Sequence, residues 1–200
     1  MHHYIFQDVY DWAGVIRVIN IEKSEPALGG ISIEYSDCFD IEKDAKSILN
    51  EMNHYAWYKA SIEVVAVIFS KYLAELWKVH PYREGNTRTV ITFCSQFIES
   101  KGLYIDSELF KDNAQYMRTA LVAASATFTD LGDKRKPEYL EKIVLDALEC
   151  GAEMKNRVFD IIRKAGFEGT EEEIRRIVYW SRLKHCESDV EEVKEYLQKF

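Results

Sequence analysis

YKASIEVVAVIFSKYLAELWKV, residues 58–79, runs directly into HPYREGNTR, residues 80–88, and this junction decides how the chain is read. Ile62, Val65, Ala66, Phe69, Tyr72, Leu73 and Leu76 recur at three- and four-residue spacing, the signature of one apolar helix face. Val64, Val67 and Ile68 are apolar on another side, so this helix is expected to be buried nearly all round, at the centre of its domain. It stops at His80, a proline-led loop follows, and a new helix begins at about Asn86.

Outward from this centre the chain is poor in helix breakers. It has nine Gly and three Pro in 200 residues, and none of either in 31–80 or 103–131. Long unbroken stretches favour helices over a many-turned β fold. Helices are expected at 40–54, 86–101, 107–125, 137–149, 152–165, 170–184 and 188–198. Gly102, Gly151 and Gly166 sit where C-terminal caps belong, Pro137 opens one helix, and Thr170 caps another. One stretch departs from this pattern. VIRVINI (15–21) and ISIEY (31–35) are β-prone and flank the turn-rich SEPALGG, which predicts a single hairpin over 15–35. The fold class is therefore mostly α, a helical bundle around a buried central helix with one β-hairpin and a helical C-terminal tail. The domain boundary is expected near Gly151, giving a body of residues 1–150 and a charged extension of 151–200.

Composition excludes several functions. The 26 Lys and Arg are outnumbered by 34 Asp and Glu, for a net charge of −8, so the chain is a poor sequence-independent nucleic-acid binder. The Glu171–Glu173 run argues against a DNA-reading tail. No apolar run approaches the roughly 18 residues of a membrane span. The N-terminal MHHYIFQDVYDW lacks both the basic and the apolar regions of a signal peptide. Cysteines at 38, 94, 150 and 186 form no CxxC pair, which points to a cytoplasmic, reducing setting without a cysteine metal site, or to a protein exported by a route without a cleaved signal.

The chemistry concentrates in residues 80–88. A helix start leaves unpaired backbone N–H groups and the positive end of a dipole, which together make an anion site. Gly85 allows the backbone to approach a bound group, and Asn86 and Arg88 are placed to reach phosphate oxygens. A carboxylate such as Glu84 suits a phosphate site when a divalent cation sits between them; Mg²⁺ binds through one or two carboxylates plus phosphates. His80, at the facing helix end, can take a proton from an incoming hydroxyl.

The string H-x-x-x-E-G-N-x-R strongly resembles the active-site motif of Fic-domain proteins, H-x-F-x-(D/E)-G-N-(G/K)-R-x-x-R. FQDVYDWAGVIRVINI (6–21) is similar to the stretch leading into that family's target-docking flap, and the likeness covers roughly residues 4–145. The resemblance implies a protein adenylyltransferase of the Fic/DOC family, which binds ATP and Mg²⁺ and transfers AMP to a Ser, Thr or Tyr hydroxyl of a target protein. It implies His80 as general base and Glu84 as the Mg²⁺ ligand. Gly85, Asn86 and Thr87 would form the anion loop, with Arg88 neutralising the leaving phosphates. Arg83 is added to the nucleotide-binding set. Tyr116, with Asn113 and Arg118 on the same predicted helix, is placed at the adenosine end. The target is expected to add as a strand beside Val15–Ile21, on the 15–35 hairpin.

Three departures from the pattern stand out. Tyr82 replaces the usual Phe, Thr87 replaces Gly or Lys, and Ile91 stands where the last arginine would fall. That arginine commonly handles the γ-phosphate and pairs with an inhibitory glutamate from an (S/T)-x-x-x-E-(G/N) string, which this chain also lacks. Restraint is then left to the tail, to a regulatory partner protein, or to nothing. The alternatives to AMP transfer are kinase-like phosphate transfer, against which Thr87 argues, and a catalytically weakened nucleotide-binding regulator. A bacterial origin is expected from the resemblance. Tyr179 and Tyr196 are candidate self-modification sites.

Overall fold

A computed structural model describes residues 1–170 and 172–174. Seven α-helices lie among them: α1 (His2–Phe6), α2 (Ile41–His54), α3 (Ile62–Val79), α4 (Asn86–Ser100), α5 (Ser107–Asp112), α6 (Ala114–Ala124) and α7 (Glu138–Lys164). The strands β1 (Thr127–Phe128) and β2 (Gly132–Asp133) pair antiparallel, Thr127 opposite Asp133. Packing divides the chain into Met1–Leu148 and Glu149–Phe200. No helix among the described residues is long and apolar enough to cross a membrane. The expected helix at 188–198, most of that at 170–184, Tyr179 and Tyr196 lie outside the described residues.

The first unit is built on α3, as its apolar spacing predicts, with α2, α4 and α6 packed against it. Val65, Phe69, Leu73 and Trp77 are buried along its inner face and meet Cys94 and Ile98 of α4 and Met117 and Leu121 of α6 in one core. Burial is not all-round. Val64 and Val67 are 46% and 45% exposed, because the three neighbouring helices leave that stripe of α3 uncovered.

Helix boundaries show where local chemistry competed with periodicity. The expected helix at 107–125 breaks at Asn113, whose side-chain and backbone amides both donate to the Leu109 carbonyl, at 2.9 and 3.1 Å. Gly102 and Gly166 end helices in the left-handed conformation, as expected. Gly151 does not, since α7 passes through it unbroken. Apolar spacing on both sides outweighs the cost of about 1 kcal/mol for a helix-interior glycine. In the second unit Thr170 caps the next helix start: its Oγ1 accepts from the Glu173 amide at 3.3 Å while the Glu173 carboxylate accepts from the Thr170 amide at 2.7 Å.

The hairpin expected over 15–35 is not formed. SEPALGG does turn, through a 3₁₀ turn at Pro26–Leu28 followed by Gly29 and Gly30 at positive φ. The flanking segments spend their hydrogen bonds elsewhere. The Arg17 amide donates to Pro81 O at 2.9 Å and the Ser36 amide to Lys78 O at 3.3 Å, so both segments pair with the end of α3 rather than with each other. Side chains join them instead, among them Ser32 Oγ, which accepts from the Lys23 amide at 2.9 Å, and the Tyr35 hydroxyl, which donates to Glu25. The two-stranded sheet lies instead at 127–133, turned by Gly132 at φ 71°.

Arg17 is the tie that holds this arrangement. Only 5% exposed, it donates from Nε to His80 O at 2.9 Å, from Nη1 to Ile19 O at 2.7 Å, and from Nη2 to Ser36 O. It thereby caps the negative end of α3 and joins it to both flanking segments. Arg17→Met, which keeps the stem and removes the donors, should lower unfolding free energy by about 2–3 kcal/mol in urea titrations. A loss below about 0.5 kcal/mol would show that the cap is dispensable.

Candidate active site

The site begins where α3 ends. His80 takes the left-handed conformation (φ 48°, ψ 58°), the one non-glycine residue at positive φ among those described. That conformation costs roughly 1–2 kcal/mol for an ordinary L-residue. It persists because Arg17 Nε holds the His80 carbonyl. The imidazole is 1% exposed, its face against Tyr35 (ring centroids 4.2 Å apart) and its edge toward Trp77 (5.5 Å). Neither ring nitrogen has a hydrogen-bond partner among the described residues. Burial, and then the positive charge of Lys23, push its pKa down to about 3; Arg118 and Arg17 add to this, while the Trp77 backbone opposes it. The imidazole is therefore neutral at physiological pH.

Residues 81–85 form a closed loop. The Asn86 side chain bonds one residue twice, accepting from the Tyr82 amide at 2.9 Å and donating to Tyr82 O at 2.6 Å. Asn86 is thus a buried loop fastener. Gly85 stands at φ 82° where a Cβ would lie 2.5 Å from the Phe6 ring, so both conformation and space exclude a side chain. His2 completes the frame from outside. Its Nδ1 accepts from the Gly14 amide at 2.8 Å, so its Nε2 donates to Glu84 O at 3.0 Å, and its ring stacks on Tyr82 at 3.8 Å. Tyr82 is thus held by its ring against His2 and by its backbone on Asn86.

Helix α4 starts at Asn86 with no side chain capping Gly85, which leaves the first amides available to an anion. Thr87 is not oriented as a free donor toward that end: its Oγ1 accepts from Trp77 Nε1 at 2.9 Å, tying α4 to α3. Arg83 and Arg88 are exposed and lie over the Trp12 and Phe6 rings at 5.4 and 5.2 Å. Glu84 is exposed and pairs with Lys23 at 3.1 Å. Tyr116 is apart from this group: 43% exposed, it donates to Tyr139 O at 3.2 Å, and none of its described hydrogen bonds reaches the loop. Arg118, on the same helix, does turn toward the site, pairing with Glu25 at 2.8 Å.

Sequence reasoning misses three residues of the 15–35 segment that meet the motif, Arg17, Lys23 and Tyr35, and a fourth, Glu25, that holds Tyr35 and Arg118. Glu25 is 2% exposed and accepts from Arg118 and, at 3.2 Å, from the Tyr35 hydroxyl, whose pKa is raised by burial and by the Glu25 charge. A period-two reading of Ile33 and Tyr35 marks an inward face, yet nothing in the sequence says what that face meets. Cavities of about 1080 and 600 Å³ lie elsewhere, the first beside Val18 and Phe39 and the second beside Ser70 and Lys78, and neither is lined by residues 80–88.

Comparison with known proteins agrees with this geometry. A probable protein adenylyltransferase, y4lH, of Sinorhizobium fredii is 33% identical over 111 residues, 53% of each chain. The protein adenylyltransferase VbhT of Bartonella schoenbuchensis is 31% identical over 110 residues, 53% of this chain and 21% of VbhT. The chain thus spans about half the length of the first and about a fifth of the second. The crystal structure of the N-terminal FIC domain of Bep8 from Bartonella sp. 1-1C superposes with a TM-score of 0.56 at 17% identity, covering 74% of this chain and 69% of that one, and so shares the fold. Residues 1–98, which carry α3 and the whole loop after it, match the Fic/DOC family.

Proposed function

We propose that this chain is a protein adenylyltransferase that moves AMP from ATP to a hydroxyl of a target protein. The observation that carries this reading is a neutral imidazole, His80, at the end of one helix, joined by the five-residue loop 81–85 to the uncapped start of another. The α4 amides and Arg88 receive the phosphates, Arg83 supplies further positive charge at the exposed rim, and Asn86 and Thr87 hold the loop in shape. Tyr116 at the adenosine end belongs to the same reading.

A divalent cation fits the donors present. Among the described residues no three or more His, Cys, Asp or Glu gather to cage a metal, while Glu84 offers one exposed carboxylate beside the phosphate end. That is the donor set Mg²⁺ takes when phosphates complete its shell, and the ion would supply charge neutralisation there. Lys23 holds the Glu84 carboxylate in this structure.

In the transfer step the target oxygen bonds to the α-phosphorus, the bond to the β-phosphate oxygen breaks, and pyrophosphate leaves. The hydroxyl proton passes to a ring nitrogen of His80. A histidine with a pKa of about 3 is a weak base, but an arriving triphosphate offsets the very cations, Lys23, Arg118 and Arg17, that depress it. Substrate binding therefore raises basicity where it is needed. The target docks by adding as a strand along residues 15–21, where Val15, Val18 and Ile19 are exposed.

Two predictions follow from His80. With ATP labelled at the α-phosphate, His80→Ala should reduce protein-bound label about 10²–10⁴-fold and leave ATP affinity within about twofold. Label arriving from the γ-phosphate instead would move the chain to phosphate transfer, and undiminished α-label in the variant would remove His80 as base. The second concerns stability. Unfolding returns His80 to a pKa near 6.5, so below that value the unfolded chain binds the extra proton and stability falls with falling pH. Between pH 7 and 5 this histidine should cost about 2 kcal/mol. His80→Gln should remove most of that pH dependence in urea titrations, and an unchanged dependence would show that the imidazole is not held neutral.

A further inference from the structure

The cations around His80 are not equivalent. Arg17 is consumed, its donors buried on backbone carbonyls of Ile19, Ser36 and His80. Lys23 pairs with Glu84. Arg118 pairs with Glu25 through a single nitrogen, Nη2, and the pair is lopsided: the Glu25 side chain is 2% exposed and the Arg118 side chain 43% exposed. A guanidinium carries five N–H donors in a planar fork, and only one of these is used in the described pair with Glu25. Position 91, where the motif's last arginine would fall, supplies no charge; Ile91 is partly buried and packs against the core. The phosphate end of the site therefore has one fewer cation from α4, while a half-exposed one from α6 stands against a buried anion.

Resting on the nucleotide-transfer reading, we propose that Arg118 is a phosphate-binding residue of this site and that Glu25 is the internal anion that occupies it in the absence of nucleotide. The Pro26–Leu28 turn packs on α6, which keeps Glu25 beside Arg118. When Arg118 turns to a phosphate oxygen, Glu25 is left buried with the Tyr35 hydroxyl as its other described partner. A buried carboxylate stripped of its counter-charge is strongly disfavoured, so Glu25 opposes nucleotide binding through Arg118. Tyr35 carries the same event to the base, because its ring lies on His80. The groups facing His80 in this exchange are Lys23 and Arg17 from the 15–35 segment, Arg118 from α6, and Tyr35.

The test is calorimetric titration of the whole chain with Mg²⁺ and, separately, ATP, ADP and adenosine. Arg118→Gln should weaken ATP about tenfold and adenosine less than about twofold, the loss of one charge-assisted contact. Glu25→Gln, which keeps the shape and the Tyr35 contact but loses the charge, should tighten ATP severalfold and leave adenosine unchanged. Equal weakening of ATP and adenosine in Arg118→Gln, or no weakening, overturns the proposal. So does weaker ATP binding in Glu25→Gln, a variant that does not depend on Arg118→Gln folding. A wild-type chain that binds none of the three overturns the transfer reading itself, and ATP binding that ignores both substitutions overturns this inference alone.

Discussion

A single guanidinium at the end of α3 fixes the geometry from which the rest of the site follows. The terminal carbonyls of a buried helix need donors. Arg17 supplies several from one rigid group and joins the helix end to residues 19 and 36 in the same act. His80 is held in a conformation that its side chain would otherwise disfavour, and the loop to α4 starts from a fixed direction. The usual device at such a position is a glycine. Here a histidine is kept, because an arginine from elsewhere in sequence does the capping.

The loop is secured by a second set of contacts that leave its face to solvent untouched. Asn86 closes it from within, His2 bridges Gly14 to Glu84 from outside, and Phe6 fills the space over Gly85. Each of these groups acts on the backbone behind the α4 amides. The N-terminal segment is thus part of the site's frame, and the family match includes it as well as the motif.

Charge around the base is arranged as a set of pairs. Lys23 with Glu84 and Arg118 with Glu25 place two cations near a buried imidazole whose ring nitrogens have no side-chain partner among the described residues. Both acids sit one or two residues from groups that define the site. An anionic ligand must compete with them, and that competition links ligand binding to the proton affinity of His80 through electrostatics alone. The absence of an arginine at 91 makes the α6 cation the natural place to look for the missing charge.

The central helix, the loop and the start of α4 were legible from residues 58–88, because apolar spacing, a proline and an Asn-led helix start are local signals. The likeness to the Fic/DOC family was legible for the same reason, the motif being contiguous. The hairpin was misread: VIRVINI and ISIEY carry strand propensity, but whether two such segments pair depends on what else offers hydrogen bonds, and here the end of α3 offered them. The break at Asn113 and the continuity through Gly151 turned on similar local competitions. Sequence by itself therefore determined the helical core and the chemistry of the motif. The burial of His80, the Arg17 cap and the Glu25–Arg118 pair were decided by the tertiary structure, since residues 17, 25, 35, 80 and 118 meet only after chain segments far apart in sequence are packed together.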